Sequence, residues 1–154
     1  MSRQVTRLLR IMSRLRSPSG CPWDREQTHE SLVQALKDET AEVIEAIQQK
    51  DFPGIREELG DLLLHVIFQS LIAKEAGKFD FDGVVRTLIR KLVRRHPHVF
   101  GRRAANDSAT VLKQWHEIKA REKKDKRHAR NRPALGRNHS GKDGQGGSAR
   151  NRKR

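Results

Sequence analysis

Two short acidic groups carry the clearest chemistry in this chain: Asp38, Glu39 and Glu42, then Glu58 and Asp61. Glu39 with Glu42, and Glu58 with Asp61, are each spaced i, i+3. On a helix that spacing turns both carboxylates to one face. Two such helices side by side bring four carboxylates to one spot, where they repel one another unless a hard cation sits between them. Mg²⁺ takes oxygen ligands of this kind and works mostly on substrate phosphates; Mn²⁺ suits the same donors. A solitary pair of helical glutamates is ordinarily a solvated surface feature, but Asp61 argues for more. Its neighbours Leu59, Leu62, Leu63 and Leu64 are apolar, and an ionised carboxylate among them is costly without a partner. Asp is also a mediocre helix former, and Gly60 weakens the helix further, which points to close packing at that position. His65, one turn after Asp61, fits a core histidine better than a further ligand.

The elements that must position these groups are helices. No alternating strand pattern occurs in residues 1–120, whereas helical spacing recurs. Val5, Leu8, Leu9, Met12 and Leu15 form the stripe of a first helix ending near Arg16. Residues 17–23 hold two prolines and a glycine and read as a loop. Asp24 and Thr28 are both plausible starters for a second helix that runs to about Lys50. A short connection with Pro53 leads to a third helix from about Gly54 to Ala76, closed by Gly77. So short a link implies an antiparallel hairpin. At 1.5 Å per residue, Glu39 and Glu42 lie roughly 12–16 Å before the connection, and Glu58 and Asp61 a similar distance beyond it. The hairpin therefore sets the acidic groups opposite each other. Asp82 reads as the cap of a fourth helix that Pro97 stops, and Ser108 as the cap of a fifth.

Possible counter-charges follow downstream. Lys91, Arg94, Arg95, His96 and His98 cluster at the end of the fourth helix. They serve either its C-terminal dipole or a phosphate clamp. Trp115 and Lys119, at i, i+4, set a cation beside a ring.

The formal net charge of +14 is unevenly spread. Residues 121–154 hold 13 Lys/Arg against 3 Asp/Glu, and residues 1–120 hold 20 against 16. From residue 130 onward apolar residues are few, so a basic, disordered tail is expected over residues 124–154. It is suited to weak, salt-sensitive contact with nucleic acid, although no aromatic residue is interleaved to stack on bases. Cys21 is the only cysteine, which excludes an intrachain disulfide and fits the cytoplasm. The longest apolar stretch, residues 62–73, is broken by His65, Gln69 and Ser70 and is too short to span a bilayer, so no membrane role is expected. The Arg-rich, acid-free start of the chain fits an amphipathic core helix, and no secretory pattern is visible there.

Four separated motifs together resemble the MazG family of all-α nucleoside triphosphate pyrophosphohydrolases. They are Gly20-Cys21-Pro22-Trp23-Asp24-x-Glu26-Gln27-Thr28, the acidic group ending Glu39-x-x-Glu42, Glu58-Leu59-Gly60-Asp61-Leu62-Leu63, and Lys91-x-x-Arg94-Arg95-His96-Pro97-His98-Val99-Phe100. The resemblance covers roughly residues 3–123 and implies one domain over residues 1–123. It implies a fold of antiparallel helix hairpins forming a four-helix bundle; so small a core in one helix pair further implies a homodimer or higher homo-oligomer that buries the apolar face of the third helix against a second copy. It also implies Mg²⁺-dependent hydrolysis of a nucleoside triphosphate to the monophosphate and pyrophosphate. Carried over by position, Glu39, Glu42, Glu58 and Asp61 would bind the metal, and Asp38, Glu39 or Glu42 would take the proton of the attacking water. Lys91 and Arg95 would contact the phosphates, with Trp115 and Lys119 near the nucleotide. Trp23 would pack a loop. Asp38 stands where the family motif usually has Glu, which keeps the charge and shortens its reach. The rival expectation is an inactive nucleotide sensor, or a nucleic-acid-associated module using the basic tail.

Overall fold

The computed structural model describes residues 2–130, and these are helical with no strand among them. The described residues divide into two compact units, residues 2–104 and 105–130. The first unit holds α1 (Arg3–Leu15), α2 (Pro22–Glu26), α3 (Val33–Gln49), α4 (Phe52–Glu75), α5 (Phe81–Arg95) and α6 (Pro97–Phe100). In the second unit, α7 spans Ser108–Arg130. Residues 131–154, which hold most of the expected disordered tail, lie outside the described residues; residues 124–130 of that segment belong to α7.

Helix α4 is the centre of the first unit, with α1, α3 and α5 all packed against it. The α3–α4 hairpin is its most extensive contact. Lys50 makes the turn by adopting a left-handed conformation, φ 58°, and its N–H reaches the carbonyls of Ala46 and Ile47. The Asp51 N–H also donates to Ala46 O, at 3.0 Å. A Cβ at Gly54 would come within 2.5 Å of the exposed Asp51 carboxylate, which would have to swing aside. At the other end of α4, Gly77 sits at φ +65°, and the N–H groups of Gly77 and Lys78 donate back to Lys74 O and Ala73 O. That pairing satisfies the last carbonyls of the helix, as expected of a closing glycine.

The core gathers on the C-terminal half of α4. Ile67, Phe68 and Leu71 are buried there against Met12 of α1 and Leu32, with Leu8, Leu9, Leu15, Leu64, Ile72 and Phe81 packed around them. Arg16 ties the segment after α1 to this half. Its side chain is 6% exposed and makes a fork to Glu75, with Nη2–Oε2 at 2.6 Å and Nε–Oε1 at 2.8 Å. Its Nη1 donates to the carbonyls of Asp24 (2.5 Å) and Gln27 (3.3 Å), and the guanidinium lies 5.3 Å from the Phe68 ring centre.

Several local expectations need correction. Pro22 starts the short helix α2 instead of continuing a loop, and Asp24 lies inside it. Trp23 packs no loop; it is 59% exposed. Thr28 does not start α3 directly. It exchanges hydrogen bonds with Ser31 in a turn, and α3 begins only at Val33. The cap of α5 is Asp80, whose carboxylate accepts from Gly83 N–H at 2.8 Å, while Asp82 stays in the first turn near Arg86. The cap of α7 is Asp107 and not Ser108: it accepts from the N–H and hydroxyl of Thr110, both at 2.8 Å, and those bonds hold its carboxyl below the usual range. Each replacement moves the cap upstream to an Asp, whose carboxylate accepts from the free N–H groups of the first turn. Gly60 is not closely packed either, since a Cβ there would meet nothing within 4 Å.

Candidate active site

The hairpin does to the acidic groups what their spacing requires. Glu39 from α3 and Glu58 and Asp61 from α4 each offer a carboxylate oxygen, and these oxygens lie within 4.8 Å of one another. All three residues are half-buried, whereas Glu42 is exposed at their edge. This end of α4 lies away from the main core, so the packing of α3 along α4 is what holds the group together.

Electrostatics follow from that geometry. Partial desolvation, then the charges of Glu42 and Asp61, hold the Glu39 carboxyl above the ordinary range, and the nearby His65 ring pulls the other way. The Glu58 carboxyl is also raised, first by desolvation and then by Glu42 and Asp61; a protonated Glu58 can donate a hydrogen bond to Glu42. Like charges forced together favour protonation or a cation between them. The donor set is all carboxylate, drawn from two helices and partly shielded. It fits a hard divalent ion with oxygen preference.

The other candidates divide. The Asp38 carboxylate is not among the three converging donors; it accepts from Gln34 Nε2 at 2.8 Å, one turn back on α3. His65 is buried, 6% exposed, and its Nδ1 has no hydrogen-bond partner among the described residues. Lys91 and Arg95 share one face of α5, at i, i+4. Lys91 also lines an open cavity of about 660 Å³ beside Phe79, Val84, Thr87 and Arg90. Trp115 and Lys119 are both on α7, in the second unit, with the ammonium 4.7 Å from the ring centre.

Residues that sequence reasoning did not single out line a smaller cavity between α3, α4 and α5. Gln69 is one, and its amide oxygen accepts a hydrogen bond from His29 Nδ1. The signal was present: His65, Gln69 and Ser70 are the polar breaks in the apolar run of α4, and all three line this cavity.

Residues 27–100 match the family model for the MazG nucleotide pyrophosphohydrolase domain. The chain is 52% identical over 123 residues to a Thermotoga maritima protein named nucleoside triphosphate pyrophosphohydrolase/pyrophosphatase MazG, covering 80% of this chain and 47% of that one. It is 48% identical over 124 residues to the Escherichia coli K12 nucleoside triphosphate pyrophosphohydrolase, with the same shares covered. The chain thus spans about half the length of these curated relatives. The crystal structure of a mazG-related protein from Thermotoga maritima superposes with a TM-score of 0.61 at 30% identity, covering 75% of this chain and 98% of that one. With the acidic hairpin in place and a solved relative matched over nearly its whole length, the chain belongs to the MazG family.

Proposed function

We propose that this chain hydrolyses nucleoside triphosphates to the monophosphate and pyrophosphate, using a divalent cation, Mg²⁺ or Mn²⁺. The observation that carries this is the convergence of Glu39, Glu58 and Asp61 across the α3–α4 hairpin; the names of the relatives support it. Glu39, Glu58 and Asp61 would hold the cation, with Glu42 completing the acidic rim. When bound, the cation supplies charge neutralisation for the triphosphate and makes water a better nucleophile at neutral pH. Glu42 lies beside the three donors without being one of them, which suits it to take the proton of the attacking water. Asp38, hydrogen-bonded to Gln34, is the weaker candidate for that role. Lys91 and Arg95 would stabilise charge on the departing phosphates, and Trp115 with Lys119 would contact the nucleotide.

The active form is proposed to be a homodimer or higher homo-oligomer in the cytoplasm. Exposed Leu59, Leu63 and Val66 on α4 and Leu88, Ile89 and Leu92 on α5 form the apolar surface a second copy would cover. No helix among the described residues is long and apolar enough to cross a membrane.

The test is pyrophosphate release from a panel of nucleoside triphosphates, with Mg²⁺ and with EDTA, by the wild type and Glu58→Gln. Release that needs the metal and is lost in the variant is expected. Full metal-dependent turnover by Glu58→Gln would overturn the assignment. Tight nucleotide binding without turnover by the folded wild type would favour a sensor.

A further inference from the structure

Four arginines stand in line along α1. Arg3, Arg7, Arg10 and Arg14 follow one another at steps of four, three and four residues. On a helix those steps keep them within about 60° of arc, on the side away from buried Met12. All four are exposed, and none forms an ion pair among the described residues. The stripe runs about 16 Å, the axial span of about five phosphates on one DNA strand.

Local physics works against this arrangement. Like charges three and four residues apart on a helix repel, and α1 holds no acid to offset them, since the first in the chain is Asp24. Arg3 also stands in the first turn, at the positive end of the helix dipole, where an acidic residue would suit. Only Arg14, in the last turn, is favoured by the dipole. Arg16, by contrast, is turned inward and matched by Glu75. The chain thus pairs the arginine it buries and leaves the four on the outer face without a counter-charge. A polyanion lying along that face would remove the repulsion.

The residues also choose among polyanions. A guanidinium is a planar fork that takes phosphate oxygens two at a time. A lipid surface is the poorer match, because a helix lying on a bilayer sinks its apolar face into it. That face of α1 is occupied: Leu8, Leu9, Met12 and Leu15 pack in the core with α4. Ile11 is the one large apolar side chain that α1 exposes. Residues 3–15 include no aromatic ring to stack on a base, so the face can grip a backbone without reading sequence.

We infer that the outer face of α1 binds the phosphodiester backbone of nucleic acid, without regard to sequence, through Arg3, Arg7, Arg10 and Arg14. The site uses no residue of the acidic hairpin or of the basic C-terminal segment, and it does not depend on the proposed triphosphate chemistry.

The test is fluorescence anisotropy of labelled mixed-sequence oligonucleotides, single-stranded and duplex, with salt stepped from about 50 to 200 mM. The full chain is compared with two variants, one with all four arginines replaced by Gln and one with all four replaced by Lys. Gln and Lys form helix about as well as Arg, so both variants should keep the wild-type circular dichroism. Each phosphate neutralised adds about 0.7 (single strand) to 0.9 (duplex) to the slope of log affinity against log salt. That slope counts contacts and is not set by diffuse attraction to a basic protein. The Gln variant should therefore lose about 3 from the slope. The Lys variant should keep the slope and bind more weakly, because it keeps the charge and loses the fork. No oligonucleotide binding by the wild type, or the same slope in the wild type and the Gln variant, would overturn the inference. So would tighter binding to phosphatidylserine vesicles than to either oligonucleotide, which would make the partner a membrane.

Discussion

Replacing Arg16 by Met should destabilise the protein several times more than replacing its partner Glu75 by Gln. The Arg16 side chain is 6% exposed, while that of Glu75 is 50% exposed, so the two ends of the ion pair are unequal. Loss of the half-exposed pair alone is worth about 1 kcal/mol at most, because water screens it. Arg16, however, also donates to the Asp24 and Gln27 carbonyls and lies over Phe68. Charged hydrogen bonds of this kind contribute about 1.5–3 kcal/mol, and the ring contact adds about 0.5–1 kcal/mol. Arg16→Met should therefore cost about 2–5 kcal/mol, and Glu75→Gln about 1 kcal/mol at most. The pair also sets a pH signature. The Arg16 guanidinium holds the Glu75 carboxyl below its usual value, so its contribution is complete above the unfolded carboxylate value and is lost as pH falls through the lowered folded one. Urea unfolding followed by far-UV circular dichroism, at neutral pH and at stepped acid pH, reads both effects. The gap between wild type and Glu75→Gln should close in acid. Equal losses below about 1 kcal/mol for both variants would refute the view that Arg16 anchors the α1–α3 segment to α4.

Three further outcomes follow from the site and its helix. Mg²⁺ should raise the melting temperature of the wild type, and Asp61→Asn should abolish most of that rise in a thermal scan; an undiminished rise would place the cation elsewhere. Because the Glu39 and Glu58 carboxyls are held above their ordinary range, their repulsion destabilises the metal-free fold above the folded values and is relieved as pH falls toward the unfolded ones. Protons then compete with the cation, so the Mg²⁺-induced stabilisation should fade on acidification before ordinary carboxylates titrate; a pH-independent shift in calorimetric scans would contradict this. Gly60→Ala should stabilise the chain by about 0.5–1 kcal/mol in urea unfolding, because a Cβ there meets nothing within 4 Å in a helix interior. A loss of stability instead would mean that the second copy proposed to cover Leu59 and Leu63 also packs against Gly60.

The hairpin and its acidic face were legible because both rest on local rules. Spacing i, i+3 fixes which way side chains point, and a three-residue link leaves the helices no choice but to turn back on each other. The caps were less legible: Asp80 and Asp82, or Asp107 and Ser108, are all competent, and which one caps depends on where the preceding turn delivers the chain. Arg16 escaped notice entirely. A basic residue at the end of an amphipathic helix looks like any dipole partner, and its four acceptors come from segments as far away as Glu75. The Gln69–His29 bond spans 40 residues, and no periodicity can register that.

The same distances explain why α4 is interrupted where it is. Its 24 residues run about 36 Å, long enough to separate two tasks. The C-terminal half buries Ile67, Phe68 and Leu71 under α1 and is clamped by Arg16 through Glu75. The N-terminal half exposes Leu59 and Leu63, carries Glu58 and Asp61, and leans chiefly on α3. His65 and Gln69 lie at the junction, where full burial would leave polar groups stranded and full exposure would open the core to water.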